Sequence, residues 1–213
     1  MTTPRLAFDA AADDYDADPH HGVIADRLVD GLNPRRDPGL VVDVATGTGV
    51  AAFAALRGLR PGRVVAVDIS PRMLDVARAT AVEQDPDGRI EWRVGAAVPL
   101  GIDDGSADVV ICASSLHFLG GAALPEWRRV LRPGGQVAFS IPMAADFHPS
   151  PQFRALLPDD LTVPADADAA LAIARDSGFV APRVELTPPV APDRPRRAFL
   201  VWAQSPGRDA ADR

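Results

Sequence analysis

The sequence contains no lysine, because all 22 of its basic residues are arginines. Without lysine, the chain cannot form a lysine Schiff base, anchor pyridoxal phosphate or build a lysine-type P-loop. Cys112 is the single cysteine, which excludes both a disulfide within the chain and a cluster of cysteine metal ligands. These absences remove several classes of enzyme at once.

Long apolar segments and basic runs are also missing. No stretch of about 18 apolar residues occurs, and residues 1–5 lack the apolar core of a signal peptide. We therefore expect a cytoplasmic protein that does not enter a membrane. The formal net charge is −7, from 22 basic and 29 acidic side chains, which argues against binding to nucleic acid phosphates.

Apolar runs alternate with helical patterns through the first two thirds of the chain. Strands are predicted at 40–44, 63–68, 89–94, 107–113 and 136–141, and helices at 5–16, 22–32, 50–59, 71–83 and 125–131. A helix at 166–177 and strands at 183–186 and 198–203 complete the pattern. The alternation predicts a doubly wound α/β fold, with helices on both faces of a mostly parallel, seven-stranded sheet.

The first predicted strand runs into a glycine-rich turn, Val42-Asp43-Val44-Ala45-Thr46-Gly47-Thr48-Gly49. Gly47 and Gly49 let the backbone approach a ligand closely and present amide donors at a helix N-terminus. Asp43 is unusual here, since a carboxylate before the turn repels a pyrophosphate and suits a cationic or amine group. This residue favours S-adenosylmethionine over a nicotinamide dinucleotide.

Asp68 ends the second predicted strand, where the acidic residue of dinucleotide-binding folds accepts ribose hydroxyls. The alternative is a turn residue that caps the following helix. Because its position agrees with the preceding glycine turn, we favour the ribose interpretation.

Five segments in order resemble the class I S-adenosylmethionine-dependent methyltransferases, in particular the small-molecule group of the ubiquinone/menaquinone-biosynthesis type (methyltransferase type 11). They are Val41–Gly49, Val64–Met73, Asp104–Val110, Ser115–Phe118 and Arg129–Gly135. The resemblance covers residues 5–142 and implies a Rossmann-like fold. It also implies methyl transfer from S-adenosylmethionine to an O, N or C nucleophile of a small organic molecule, with S-adenosylhomocysteine as product.

The resemblance implies a role for each residue of the cofactor site. Asp43 would order the methionine amino group, and Tyr15 would help to close that end. Asp68 would bind ribose, with Ile69 and Met73 against the adenine; core packing is an equal alternative for Met73. The full set of implied cofactor contacts is Tyr15, Asp43, Ala45, Thr46, Gly47, Gly49, Asp68, Ile69, Met73, Ala96, Ala97 and Ser114.

One position departs from the family pattern. Relatives commonly carry Gly-Asp-Ala after the third strand, where the Asp accepts from the adenine amino group, but this chain has Gly95-Ala96-Ala97. The lost hydrogen bond would weaken cofactor binding by roughly 1–3 kcal/mol, unless water, Asp103 or Asp104 compensates. The departure leaves open a fold that serves a non-methylating step, such as cyclisation or decarboxylation.

The four histidines fall where this fold places its ligands, beyond the carboxyl ends of the strands. His117, after the fourth strand, is the best candidate for a general base, and fixing the turn is an equal alternative. His20, His21 and His148 are weaker candidates for substrate contact. No His-Glu or His-x-His spacing on a predicted element favours a metal, so none is expected.

The chain is expected to be one domain, residues 1–213, with uneven parts. We predict a helical cap at 1–36, a cofactor-binding core at 37–141, a short lid at 142–164, a helix with two strands at 165–204 and a tail at 205–213. The lid holds Phe147 and Phe153, which suggest an apolar or aromatic substrate or merely seat the loop. A monomer or homodimer acting on a small molecule is expected, and a non-catalytic partner subunit is an alternative.

Overall fold

The computed structural model of the chain describes residues 4–34, 36–189 and 195–207. One seven-stranded sheet runs through it, in the order β3-β2-β1-β4-β5-β7-β6. The strands are β1 (Leu40–Val44), β2 (Arg63–Asp68), β3 (Ile90–Val94), β4 (Ala107–Cys112), β5 (Leu131–Pro142), β6 (Val180–Leu186) and β7 (Ala198–Gln204). β7 runs antiparallel to β5 and β6, while the other neighbours are parallel. The predicted fold class is confirmed.

Eight α-helices connect and cover the described strands. They are α1 (Pro4–Ala11), α2 (His20–Asp30), α3 (Val50–Leu59), α4 (Pro71–Gln84), α5 (Leu116–Leu119), α6 (Ala123–Val130), α7 (Pro151–Arg154) and α8 (Ala167–Asp176). Local capping explains two of the starts. Ser70 accepts the N–H of Met73 at the start of α4, and Asp166 accepts the N–H of Ala169 at the start of α8.

Several predicted boundaries were wrong. The single helix expected at 5–16 ends at Ala11 and continues as a 3₁₀ helix, Ala12–Ala17. β5 begins at Leu131, five residues earlier than expected, because Leu131 already pairs with Ala107 before the register shifts. α5 was not predicted, since four residues are too few to show a helical period. The predicted tail from 208 onward lies outside the described residues.

The core consists of two apolar clusters, one on each face of the sheet. Trp127 and Phe139 belong to one cluster, and Ile24, Leu28 and Phe53 belong to the other. β1 and β4 are buried along their whole length, because helices cover both of their faces. Among the described residues, no helix is long and apolar enough to span a membrane.

β1 and β4 are neighbours in the sheet, and the order in which the chain adds strands reverses between them. To one side of this point the sheet continues through β2 and β3, and to the other through β5. Loops at the carboxyl ends therefore diverge and leave a crevice, the usual binding place in open α/β sheets. The residues that follow β1, β2 and β4 meet there.

A matched pair of glycine substitutions tests this local structure. Gly49 has a φ of +89°, and a Cβ on it would lie 2.6 Å from the Trp92 ring. Gly22 lies within α2 with open space around it. In thermal and urea unfolding, Gly49→Ala should lower the free energy of unfolding by about 1–3 kcal/mol, while Gly22→Ala should raise it by about 0.5–1 kcal/mol. Equal effects of the two substitutions would contradict the assigned backbone.

Candidate functional site

Asp43 is a carboxylate in the middle of the sheet. It lies in β1 and is only 1% exposed. The Thr46 hydroxyl donates to its Oδ2 over 2.5 Å, whereas Oδ1 has no hydrogen-bond partner among the described residues. A buried charge with a free oxygen is costly unless a ligand supplies the missing donor.

The burial of Asp43 also changes its protonation. Desolvation raises the pKa of its carboxyl to about 7, and the charge of Asp68 adds to this rise. The Thr46 hydrogen bond opposes it, as does a weaker contact with the Ala52 backbone N–H that falls short of a full hydrogen bond. Near neutral pH the carboxyl is therefore poised between its two forms. A cation placed beside Oδ1 would favour the ionised form.

Asp68 ends β2 and organises the turn that follows β1. Its Oδ2 accepts the N–H of Gly47 over 2.8 Å, and its Oδ1 accepts the N–H of Ser70 over 2.8 Å. Asp68 therefore has the turn-forming role that we weighed as its alternative, and it also lines a cavity. Burial raises the pKa of its carboxyl.

A first cavity of about 280 Å³ opens over the ends of β1, β2 and β3. Its lining includes eight of the predicted cofactor contacts: Tyr15, Ala45, Gly47, Asp68, Ile69, Met73, Ala96 and Ala97. A narrow recess beside it is lined by Asp43, Thr46 and Ser114, together with Tyr15 and His21. Eleven of the twelve predicted contacts therefore lie around one connected region.

Gly49 is the exception. It lines neither of these spaces. Its N–H donates to the Thr46 carbonyl, and its missing side chain makes room for the Trp92 ring. The glycine turn thus uses Gly47 at the cavity and Gly49 for packing the helix against the sheet.

The backbone is strained at two non-glycine residues of the recess. Ala45, after β1, has a φ of 54°, and Ser114, after β4, has a φ of 60°. The Ser114 N–H donates to the Ser140 hydroxyl over 2.7 Å, while its own Oγ is buried without a partner among the described residues. Left-handed backbone at non-glycine residues is concentrated at functional sites.

A second cavity of about 290 Å³ adjoins the first and is lined by all four histidines. Phe8, Tyr15 and Phe118 line both cavities. Phe147 and Phe153 of the predicted lid line the second cavity, whereas Leu156 and Leu157 do not. The aromatic residues of the lid therefore face the site.

His117 is 93% buried (7% exposed) in α5, between the rings of Phe118 and Phe147. Burial, with a smaller contribution from His21, lowers the pKa of its imidazole to about 4. The ordinary imidazole pKa of about 6.5, which makes a histidine suitable as a base near neutrality, therefore does not apply to His117. The imidazole is neutral at physiological pH and can accept a hydrogen bond.

The N-terminal cap is tied to the turns below it. The Ser70 hydroxyl donates to Asp9 Oδ1, and the Thr48 hydroxyl donates to Asp16 Oδ1, both over 2.6 Å. These bonds join the cap to the residues that follow β2 and β1. They explain how Phe8 and Tyr15, far from the glycine turn in sequence, come to line its cavity.

The suggested compensation for Ala96 is not provided by nearby acids. Asp104 pairs with Arg129, and neither Asp103 nor Asp104 lines the first cavity. Sequence reasoning also missed several lining residues: Pro4, Phe8, Val67, Val98, Ser115, Phe118 and Leu119. Val67, Ser115 and Phe118 lie in segments that the resemblance already singled out, and this was the available signal.

Comparison with known proteins agrees with this geometry. The methyltransferase domain family matches residues 41–135. The ubiquinone/menaquinone biosynthesis C-methyltransferase UbiE of Dinoroseobacter shibae is 37% identical over 119 residues, which cover 55% of this chain and 47% of that protein. The arsenite methyltransferase of Halobacterium salinarum is 33% identical over 187 residues, which cover 79% of this chain and 47% of that protein. The chain thus spans about half the length of these relatives.

Solved structures show the same fold. A chain from the complex between the Trm112 methyltransferase activator and a methyltransferase of Haloferax volcanii superimposes with a TM-score of 0.73 at 22% identity, covering 93% of this chain and 97% of that chain. A SAM-dependent methyltransferase from Aquifex aeolicus superimposes with a TM-score of 0.68 at 17% identity, covering 92% of this chain and 98% of that chain. Fold, ordered motifs and sequence relatives agree: the chain matches the methyltransferase domain family over residues 41–135 and has the fold of S-adenosylmethionine-dependent methyltransferases.

Proposed function

We propose that this chain binds S-adenosylmethionine in the first cavity and its recess, and transfers its methyl group to a small organic molecule in the second cavity. The observation that carries the proposal is the free Oδ1 of Asp43, buried at the recess. A primary ammonium supplies the donors and the positive charge that this oxygen lacks. The amino acid part of the cofactor carries such a group.

The remaining lining residues fit the other parts of the cofactor. Gly47 and Ala45 provide close backbone approach for the methionine portion, and Tyr15 covers it. Each carboxylate oxygen of Asp68 accepts one backbone N–H and can accept a further hydrogen bond, which suits the ribose hydroxyls. Ile69 and Met73 offer apolar surface to the adenine, with Ala96 and Ala97 at its edge.

When bound, the cofactor supplies a methyl group that is already activated on a sulfonium. The residues of the chain then have to position an acceptor and to exclude water. His117 is our candidate for the proton-accepting residue, because its neutral imidazole lines the second cavity and its Nδ1 has no partner among the described residues.

The alternatives raised by the sequence are less well supported. A nicotinamide dinucleotide would bring its pyrophosphate toward two buried carboxylates, Asp43 and Asp68. A non-catalytic partner subunit would not need a connected pair of cavities with polar atoms left unpaired. A repurposed fold with a bound cofactor predicts the absence of methyl transfer in an acceptor screen.

The substrate is proposed to be organic. One curated relative is an arsenite methyltransferase, but this chain has a single cysteine, Cys112, which is buried in β4. A site with several soft thiolate ligands cannot be built from it. A cytoplasmic location and a monomeric or homodimeric state remain predictions from the sequence.

Removal of either site carboxylate should weaken cofactor binding. We expect Asp43→Ala and Asp68→Ala each to raise the Kd for S-adenosylhomocysteine about tenfold or more, since each loses charge-assisted hydrogen bonds. Isothermal titration calorimetry measures this directly. Asp26→Ala is the matched control, because Asp26 pairs with Arg57 on the surface and lines neither cavity. No binding to the unchanged chain at millimolar ligand would refute the proposal.

Cofactor affinity should depend on pH through Asp43. Its pKa of about 7 in the free chain must fall when an ammonium binds the ionised form. Binding therefore releases a proton at acidic pH, and affinity should decrease up to about tenfold per pH unit below 7 and level off above it. Calorimetry across this range checks the slope. Asp43→Asn should flatten it, with any remaining slope attributable to Asp68, and an unchanged slope would contradict the assignment.

His117 should matter for turnover and not for cofactor binding. His117→Ala should leave the Kd for S-adenosylhomocysteine within about twofold, because His117 lines only the second cavity. Turnover of an acceptor found in a radiolabelled methyl-transfer screen should fall about 100-fold or more if the imidazole accepts the proton. Unchanged turnover would remove His117 from the mechanism.

A further inference from the structure

The second cavity has an unusual lining for a chain with few aromatic residues. Phenylalanine, tryptophan and tyrosine make up 6% of the sequence, with eight phenylalanines and one tyrosine. Four of those phenylalanines, the single tyrosine and all four histidines line this one cavity. The lining residues are Phe8, Tyr15, His20, His21, His117, Phe118, Phe147, His148 and Phe153, together with Ile24, Ser114, Ser140 and other residues.

The rings pack against one another and form continuous aromatic walls. Phe8, Phe118 and Phe153 have mutual centroid distances of 5.6, 5.7 and 5.9 Å. The His117 ring lies 4.1 Å from Phe118 and meets Phe147 edge-to-face at 5.0 Å, which extends the same wall. Tyr15 stacks on His21 at 4.4 Å. Ring edges and faces at such distances favour another aromatic ring over an aliphatic group of equal size.

The charged groups at the cavity are already paired. Arg197 donates to both oxygens of Asp146, over 2.7 and 3.1 Å. Arg196 lies 2.7 Å from Asp18. Among the described lining residues, the charge of each carboxylate and guanidinium is therefore already compensated by a partner of opposite charge. Burial of an uncompensated charge in such a space is strongly unfavourable.

Several polar atoms of the lining residues nevertheless lack a hydrogen-bond partner among the described residues. The Nδ1 atoms of His20, His21 and His117 and the Oγ of Ser114 are buried without partners among the described residues. Burial is the largest cause of the lowered pKa of all three imidazoles, which keeps them neutral. A neutral imidazole offers one acceptor and one donor. A hydroxyl group of a ligand can donate to the acceptor nitrogen or accept from the donor nitrogen.

We propose that the acceptor substrate is a neutral phenol of one or two rings, held by the aromatic walls and hydrogen-bonded through its hydroxyl to the buried imidazoles. The inference rests on the proposed function for its role as methyl acceptor. The cavity volume of about 290 Å³ lies at the lower end of the range for small-molecule sites. It suits one or two rings.

Four probes of similar size separate the possibilities: 2-naphthol, 2-naphthoate, 2-naphthylmethylammonium and trans-2-decalol. They are titrated near pH 7, where a phenol is neutral, both with and without saturating S-adenosylhomocysteine. We expect 2-naphthol to bind at least about tenfold more tightly than the anion, the cation and the non-aromatic alcohol. Tightest binding of an ion, equal binding of 2-naphthol and decalol, or binding of none of the four would overturn the proposal.

Two phenylalanine variants test whether the aromatic walls cause the preference for 2-naphthol. Phe147→Leu should weaken 2-naphthol binding about three- to tenfold and leave decalol unchanged, because it removes a ring at constant apolar character. Phe179→Leu is the matched control, since Phe179 is buried in the core and lines neither cavity. Circular dichroism and the Tm establish that both variants are folded. Equal effects of the two variants would contradict the assigned walls.

The controls separate this inference from the proposed function. If S-adenosylhomocysteine binds but the probes show no preference for the phenol, only the substrate class fails. If S-adenosylhomocysteine does not bind, the proposed function fails, and the titrations of the free chain still decide what the second cavity prefers.

Discussion

A carboxylate without a full set of partners lies at the centre of the sheet, and the rest of the site is arranged around it. Asp43 is held in β1, between β2 and β4, so its side chain cannot move out to solvent. Thr46 satisfies one oxygen and nothing described satisfies the other. Such a group is tolerated only because a ligand completes it or a proton neutralises it. The raised pKa and the affinity for a cation are two consequences of the same burial.

The reversal of strand order between β1 and β4 places other functional groups beside Asp43. It brings the turn after β1, the acid that ends β2 and the residues after β4 to a single crevice. The cap then closes the crevice from above through Asp9 and Asp16. Phe8 and Tyr15 consequently line both cavities. The two cavities therefore have a wall in common.

Much of the fold could be predicted because local signals agree with it. β1, β2 and α3 have the predicted bounds, since apolar runs and a glycine turn leave few alternatives. Eleven of the twelve residues that the motifs predict as cofactor contacts line the first cavity or its recess. What could not be predicted depends on contacts distant in sequence: the place of Phe8 over the site, the pairing of Leu131 with Ala107, and the lowered pKa of His117, which burial sets. Gly49 shows that a motif residue can serve packing without lining a cavity.

The central claim is that Asp43 receives the ammonium of the cofactor, and the pKa of its carboxyl tests this most directly. The chain can be labelled with ¹³C at the aspartate carboxyl carbons, with the Asp43 signal assigned by its loss in Asp43→Asn. The signal is then titrated by NMR with and without S-adenosylhomocysteine. The account predicts a pKa of about 7 for the free chain and a decrease of roughly two units or more with ligand bound. An ordinary pKa in the free chain, or a pKa that bound ligand does not change, would contradict it.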